Sequence, residues 1–330
     1  MSNHSLPTVP GGCLNARSKG VLVFLLKALV TAGCLWWLSG YFDYEQVRSA
    51  LSGVNPLLLV TAVGLHFLSF LAGGVRWWML FKHLSGPIPF RVVWPSYYLG
   101  VFYNNLLPSL YGGDIARTAR LYAAGMRGGA LVSSAFVDRV LGLASIISMG
   151  LFALIFAPAD FENDLAAGVF GMSLIILLMV FMLAALPRCA RYIDSGFGSR
   201  WPRIHSILEC FPRYRDAPGL ILGAFGLSVL NQLLVVLVFI LLAPGLGVDL
   251  PVFQFIVVLI LVFLVASLPI SLGGLGAREG AMMTLLLPLG VEPASVLALS
   301  MAYLLVLWSC TLPGAFMLLL KEPEATDAAT

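Results

Sequence analysis

The chain has 330 residues, of which 60% are hydrophobic and only 11% are charged, and its mean hydropathy is +0.96. This composition excludes an ordinary water-soluble domain, because too few polar side chains remain to cover its surface. The formal net charge of +3 is too small to indicate a nucleic-acid-binding protein. The sequence therefore predicts an all-α polytopic membrane protein.

Six apolar stretches are long enough to cross the hydrocarbon core of a bilayer, which is about 30 Å thick. They are residues 21–41, 56–78, 131–157, 166–186, 219–243 and 294–320. Polar tails flank them, at residues 1–20 and 321–330. Lysine and arginine collect near residues 82–91 and above all in residues 187–218, which places these loops and the N-terminal tail on the cytoplasmic side.

Two other apolar segments carry the same unusual pattern. Residues 107–117 read LPSLYGGDIAR and residues 268–278 read LPISLGGLGAR, so that Leu, Pro, Gly-Gly, Ala and Arg recur in register. Such a repeat combines a helix stop, a flexible pair and a cation, and it is costly in hydrocarbon unless it is buried in protein or lines a cavity. We expect a re-entrant helical hairpin at each place, in residues 92–130 and 252–289, and we expect Pro95 and Gly100 to interrupt the first one as well.

The order of these elements indicates two repeats of opposite orientation. Residues 21–157 and residues 158–320 each read span, span, hairpin, span. Inverted repeats with broken helices are typical of transporters whose binding site lies near the bilayer midplane. The charges around the second hairpin do not by themselves prove the inversion.

The two repeated arginines are the leading candidates for a binding site. A broken helix presents unpaired N–H groups that attract an anion, and Arg117 and Arg278 would add bidentate donors to a phosphate. Asp114, Asp138 and Glu279 would compensate these cations when the anion is absent. The alternative is that Arg117 pairs with Asp114 or Asp138, and Arg278 with Glu279, as purely structural ion pairs.

Further candidate residues lie in the same segments. The remaining predicted substrate-binding residues are Asn104, Asn105, Gly112, Gly113, Arg139, Gly273 and Gly274. The predicted helix breaks are Pro108, Pro269 and Gly276. The two asparagines have a second interpretation, in which they bond only to the backbone freed at the break. His66 stands alone in its span, so we interpret it as a packed polar residue rather than a ligand or a proton relay.

Motifs of catalysis are not found in the chain. It has no HExxH, no GxSxG and no Gly-rich nucleotide loop, and its five cysteines have no CxxC or paired spacing. We therefore predict no catalytic residue, no metal and no cofactor.

Three blocks of the sequence resemble a known family. Residues 104–117 (NNLLPSLYGGDIAR), 137–139 (VDR) and 268–280 (LPISLGGLGAREG) are similar to signature blocks of the lysylphosphatidylglycerol synthase transmembrane-region family of flippase-like membrane proteins. The resemblance extends from about residue 21 to residue 320. It implies an inner-membrane protein of bacteria or archaea. In two-domain relatives this region is associated with moving aminoacylated phospholipid, which a soluble domain makes. Because only a ten-residue tail follows residue 320, we expect a stand-alone member that does not synthesise such a lipid.

Taken with the resemblance, the residues predict a lipid flippase or transporter and not an enzyme. It would move an aminoacyl-phospholipid, a phospholipid or a polyprenyl-linked sugar across a bacterial inner membrane. The basic, aromatic-rich residues 187–218 would contact anionic lipid headgroups at the cytoplasmic face, and no nucleic acid is expected. Two alternatives stay open, a membrane enzyme acting on a lipid phosphate and an accessory subunit for a glycosyltransferase. The sequence also leaves a homo-oligomer open.

Overall fold

The computed structural model describes residues 55–106, 112–156, 209–267 and 276–319, together with Glu45, Gly171, Leu174 and Ile207. Nine α-helices have their bounds within these ranges, which contain no β-strand. They are α1 Pro56–Ser85, α2 Phe90–Leu106, α3 Gly112–Ala123, α4 Gly128–Ile155, α5 Phe211–Arg215, α6 Pro218–Leu242, α7 Val252–Ser267, α8 Ala277–Leu286 and α9 Pro293–Thr311. Short 3₁₀ segments follow α6, α8 and α9 at Pro244–Leu246, Leu287–Leu289 and Leu312–Leu318.

Four of these elements are long and apolar enough to cross a membrane. They are α1, α4, α6 and α9 with its 3₁₀ extension, and they coincide with four of the six predicted spans. The all-α polytopic membrane fold is therefore confirmed. The predicted spans at residues 21–41 and 166–186 lie outside the described residues, except for the helical Gly171 and Leu174. Both predicted tails also lie outside them, and the division into two inverted repeats stays a prediction.

Local sequence signals fix the ends of α1. The Asn55 side chain accepts a hydrogen bond from the Leu57 N–H at 2.9 Å, and Pro56 occupies the first position, where its missing N–H costs nothing. Gly86 ends the helix with φ +97°, and its N–H bonds to the Lys82 carbonyl. Helix α1 therefore runs about two turns beyond the predicted end at residue 78.

Both predicted hairpin regions contain a pair of packed helices. Helix α2 packs on α3, and α7 packs on α8. The breaks themselves, with Pro108, Pro269, Gly273 and Gly274, lie outside the described residues.

The expectation that Pro95 and Gly100 interrupt the first hairpin is wrong, because α2 runs unbroken through both. Pro95 stands early in the helix, where its ring removes a single backbone bond. Gly100 serves packing instead, since a Cβ there would lie 2.8 Å from the carbonyl oxygen of Gly113 on α3.

Helices α1, α4 and α6 pack against one another and form the frame of the described molecule. The α2–α3 hairpin packs on α1 and α4, while α7 packs on α4 and α9 packs on α1. One apolar cluster surrounds Trp77, Phe81 and Leu131 near the first hairpin, and another surrounds Phe239 and Leu259 near the second. Charged side chains that point between α1, α3 and α4 are thus enclosed by packed helices.

The described part of the basic segment is fastened to the end of α1. The Tyr214 hydroxyl donates to the Leu80 carbonyl at 3.0 Å, and Arg213 donates to the Leu84 carbonyl at 2.9 Å. Burial raises the pKa of Tyr214, so its hydroxyl keeps the proton that it donates. Arg213 thus bonds one carbonyl at the C-terminal end of α1, whereas Arg215 remains exposed.

Candidate functional site

A cavity of about 250 Å³ lies where the first hairpin meets α1, α4, α6 and the end of α7. We call it the charged cavity. It is lined by Arg76, Tyr97, Gly100, Val101, Asn104, Asp114, Arg117, Asp138, Arg139, Gly142, Leu143, Ser145, Ile146, Asn231, Gln232 and Ser267. Most of the sequence-predicted residues of the first repeat are thereby brought to one place.

Five charged side chains alternate in sign along the wall of the charged cavity. Asp138 accepts from Arg76 Nε at 2.6 Å and from Arg117 Nη2 at 3.0 Å. Asp114 accepts from the same Arg117 Nη2 at 2.9 Å and from Arg139 Nε at 2.7 Å. Among the described residues, three arginines thus share two aspartates.

Burial differs sharply along the network. Arg117 is 3% exposed, and its guanidinium carbon lies 4.3 Å from the centre of the Trp77 ring and 5.4 Å from that of Tyr97. Arg76 and Asp138 are buried as well. The Arg139 side chain, by contrast, keeps 41% of its surface exposed. Because a buried charge is tolerated only when it is paired, the inner charges of the network depend on one another, and Arg139 is the member that solvent reaches.

Close packing of α2 on α3 positions Asp114 and Arg117. A Cβ on Gly113 would collide with the Gly100 carbonyl oxygen and would lie 2.5 Å from Cγ of Asn104. Gly112 and Gly113 form the first turn of α3. The sequence predicted a flexible pair at this place, and the structure has a helical turn there instead.

The two asparagines bond to the backbone. Asn104 Oδ1 accepts from the Gly113 N–H at 2.9 Å and so caps the start of α3. Asn105 Nδ2 donates to the Val101 carbonyl at 3.0 Å. This geometry agrees with the interpretation in which the two asparagines bond only to the backbone. Asn104 also lines the charged cavity.

The repeated arginine of the second hairpin lies in a separate cluster. Arg278 bonds Glu279 Oε1 through Nε, at 3.1 Å, and through Nη2. Ser300 donates to the same oxygen at 2.8 Å, and the Gly276 N–H donates to Oε2 at 2.7 Å, which caps α8. Gly276 has φ +80°, a backbone conformation that favours glycine. The guanidinium of Arg278 also lies 4.9 Å from the centre of the Tyr303 ring.

Among the described residues, Arg117 and Arg278 lie in different clusters. Arg278 is buried and is not among the described residues that line the charged cavity, to which the second hairpin contributes Ser267. Glu279 accepts hydrogen bonds both from the Gly276 N–H at the start of α8 and from the neighbouring Arg278 side chain. These bonds hold Arg278 beside α9. Both arginines have the ion-pair geometry of the structural alternative, and substrate binding by either stays a prediction.

Sequence reasoning missed the contributions of α1 and α6. Arg76 seemed to end a span, yet it lies inside α1 and also donates to the Ser228 hydroxyl at 2.9 Å. Asn231 and Gln232 reach the cavity from α6. Their signal was present, since polar side chains in the middle of a span seldom face lipid.

His66 is packed as the sequence predicted. It is buried, and its ring stands edge-on to Phe70 and Tyr303, with centroid distances of 4.8 and 5.5 Å. Among the described residues, neither of its ring nitrogens has a hydrogen-bond partner. Nor does any group of three His, Cys, Asp or Glu side chains in that part of the chain have the arrangement of a metal site.

Comparisons with known proteins agree with this architecture. The model of the lysylphosphatidylglycerol synthase transmembrane region matches residues 24–314. A UPF0104 membrane protein of Pyrococcus horikoshii is 23% identical over 333 residues, covering 91% of this chain and 97% of that protein. Another from Methanothermobacter thermautotrophicus is 25% identical over 334 residues, covering 90% and 94%. No solved structure matches the chain. The predicted family is confirmed: this multi-pass membrane protein belongs to the family of the lysylphosphatidylglycerol synthase transmembrane region.

Proposed function

We propose that the protein moves a lipid with a phosphate-containing headgroup between the leaflets of the cell membrane, without changing it chemically. The headgroup enters the charged cavity while the acyl chains stay in the bilayer. The substrate class comprises phospholipids, aminoacyl-phospholipids and polyprenyl-linked sugars. A bacterial inner membrane is part of this proposal, and the two relatives named above come from archaea.

The observation that carries the proposal is the depth of the alternating charge network. Asp138 lies about ten residues, or about 15 Å, from the start of α4. Arg76 lies about nine residues, or about 14 Å, from the end of α1. Each is therefore about half of a bilayer core of about 30 Å away from a helix end. Charged side chains at this depth are rarely kept in a membrane protein without a function.

The open end of the network supports binding of an anion. Phosphate oxygens can replace a carboxylate as partners of a guanidinium, with similar bidentate geometry. The Asp114–Arg139 pair separates most readily, because a partly solvated ion pair contributes little stability. The guanidinium groups of the cavity wall then attract an anionic headgroup more strongly than a neutral one.

Purified protein in liposomes tests this function. Phosphatidylglycerol with a fluorescent acyl chain is placed in both leaflets, and a membrane-impermeant quencher is added outside. We expect the protein to make the inner-leaflet lipid accessible to the quencher. In empty liposomes the inner-leaflet lipid, which is about half of all labelled lipid, stays protected. A protected fraction equal to that of empty liposomes contradicts the proposal. Released phosphate or an altered headgroup would favour the alternative that the protein is an enzyme acting on a lipid phosphate. Transport of intact lipid by the protein alone would disfavour the alternative that it is an accessory subunit for a glycosyltransferase.

A matched pair of arginine variants ties transport to the cavity. Arg139→Gln removes the exposed cation of the network, and we expect lipid transport to fall at least tenfold with little change in stability. Arg127→Gln changes an exposed arginine just before α4 that does not line the cavity, and we expect the parental rate. Equal rates for both variants would show that the charged cavity is not the route.

A further inference from the structure

A second recess lies along the contact between α3 and α4, outside the charged cavity. It measures about 570 Å³, and we call it the seam groove. Its walls include Thr118, Ala119 and Tyr122 of α3, and Gly128, Leu131 and Val132 of α4. The side chains named here carry no charge, and most of them are apolar.

The seam groove and the charged cavity follow one another along the same pair of antiparallel helices. At the turn, a Cβ on Gly128 would lie 3.2 Å from the Tyr122 ring. Further along, Asp114 pairs with Arg139 at 2.7 Å. The groove therefore lies between the turn and this ion pair, which belongs to the cavity wall. Val132 and Arg139 are seven residues apart on α4, or about 10 Å.

The groove is open at the surface of α3 and α4. Tyr122 is 65% exposed and Val132 is 46% exposed, and α4 is one of the candidate membrane spans. One polar group on the wall, the Thr118 hydroxyl, already donates to the Asp114 carbonyl at 2.7 Å. The groove thus offers apolar contact at its open side, and the partly exposed Arg139 of the charge network stands at its inner end.

We propose that the seam groove is the docking site through which a phospholipid of the adjoining leaflet enters the charged cavity. Its glycerol region and first methylenes lie against Tyr122 and Val132, and its phosphate points to Arg139. An amphiphile with a charged head joined to apolar chains matches both ends of this path, the apolar walls of the groove and the exposed Arg139 guanidinium. The inference rests on the proposed function and adds the route of entry.

Filling the groove tests the route. Ala119 is an exposed wall residue, and Ala119→Trp places an indole in the groove. Ala123→Trp is the control, because Ala123 is also exposed on α3 but does not line the groove. We expect Ala119→Trp to slow phosphatidylglycerol transport at least tenfold and Ala123→Trp to keep the parental rate. Binding of glycerol phosphate, which reaches the cavity without a chain, should be equal in both.

The outcomes separate the route from the function. Parental transport in Ala119→Trp overturns the groove and leaves the transport function standing. A parental protein that neither moves lipid nor binds glycerol phosphate overturns the proposed function, and the route with it.

A second measurement needs no variant. Phosphatidylglycerol with a photoreactive diazirine at the start of one acyl chain is illuminated in liposomes with the parental protein. We expect labelled peptides within residues 118–132. Label confined to other helices, or a cross-link between two copies of the chain in place of lipid at these residues, would overturn the inference.

Discussion

Asp138 is the residue on which the charge network depends most. It is buried and accepts hydrogen bonds from Arg76 and Arg117, each of which comes from a different helix. Neither arginine can move into water without leaving the packed helices. Asp138 therefore joins α1, α3 and α4 electrostatically as well as lining the cavity.

The first prediction concerns this carboxylate. Asp138→Asn keeps the size of the side chain but leaves two buried guanidinium groups without their shared anion, and breaking a buried pair costs about 3–5 kcal/mol. We expect a clearly lower midpoint of thermal unfolding in detergent. Asp216→Asn is the control, since Asp216 is exposed and lies 3.5 Å from Arg215. Equal midpoints for the two variants would mean that Asp138 does not hold the network together.

Residue-scale interpretation from the sequence was limited by distant partners. The carboxylate partner of Arg76 lies 62 positions later, so the residues around Arg76 do not reveal this pair. Asp114, by contrast, is three residues before Arg117 in a predicted helix, so that pairing was accessible to sequence reasoning. Local spacing can reveal an ion pair between residues three positions apart, but not one between residues 62 positions apart.

At the scale of elements, the contact between α2 and α3 sets the shape of the first hairpin. Gly100 and Gly113 allow the two backbones to approach, and Asn104 caps α3 at that point. The sequence predicted a hairpin here but interpreted Gly112 and Gly113 as a flexible break. The collision partner of Gly113 lies on another helix, which the pattern of one segment does not reveal.

The second prediction follows from this contact. Gly113→Ala forces α3 away from α2, and we expect a lower unfolding midpoint together with loss of lipid transport. Gly64→Ala is the matched control, because a Cβ at Gly64 in α1 meets nothing within 4 Å. Alanine is favoured over glycine by about 1 kcal/mol inside a helix, so this control should be neutral or stabilised. A Gly113→Ala protein as stable and active as the control would show that the close approach is dispensable.

For the whole molecule, the two repeated segments have diverged in how they neutralise their arginines. Arg117 shares two aspartates with other arginines around a cavity, whereas Arg278 has Glu279 beside it and packs on Tyr303. The matching positions of the arginines predicted one shared chamber. The acidic partners of the two arginines do not occupy matching positions in the repeats. The membrane fold followed from hydropathy alone, because six long apolar stretches leave few other architectures.

The third prediction concerns headgroup charge. Since phosphate oxygens can take the place of a carboxylate beside these guanidinium groups, an excess of unlabelled phosphatidylglycerol should slow transport of its fluorescent analogue by competition. The same excess of phosphatidylcholine should compete at least fivefold less, because its ammonium group is repelled by the guanidinium groups of the cavity wall. Initial rates in liposomes of matched size provide the measurement. Equal competition by both lipids would show that net charge does not govern selection.

Helix α1 touches both clusters, through Arg76 in the network and through His66, whose ring meets the same Tyr303 that Arg278 covers. These two α1 residues are about 15 Å apart along one continuous rod. A rotation of α1 about its own axis would therefore displace both clusters together.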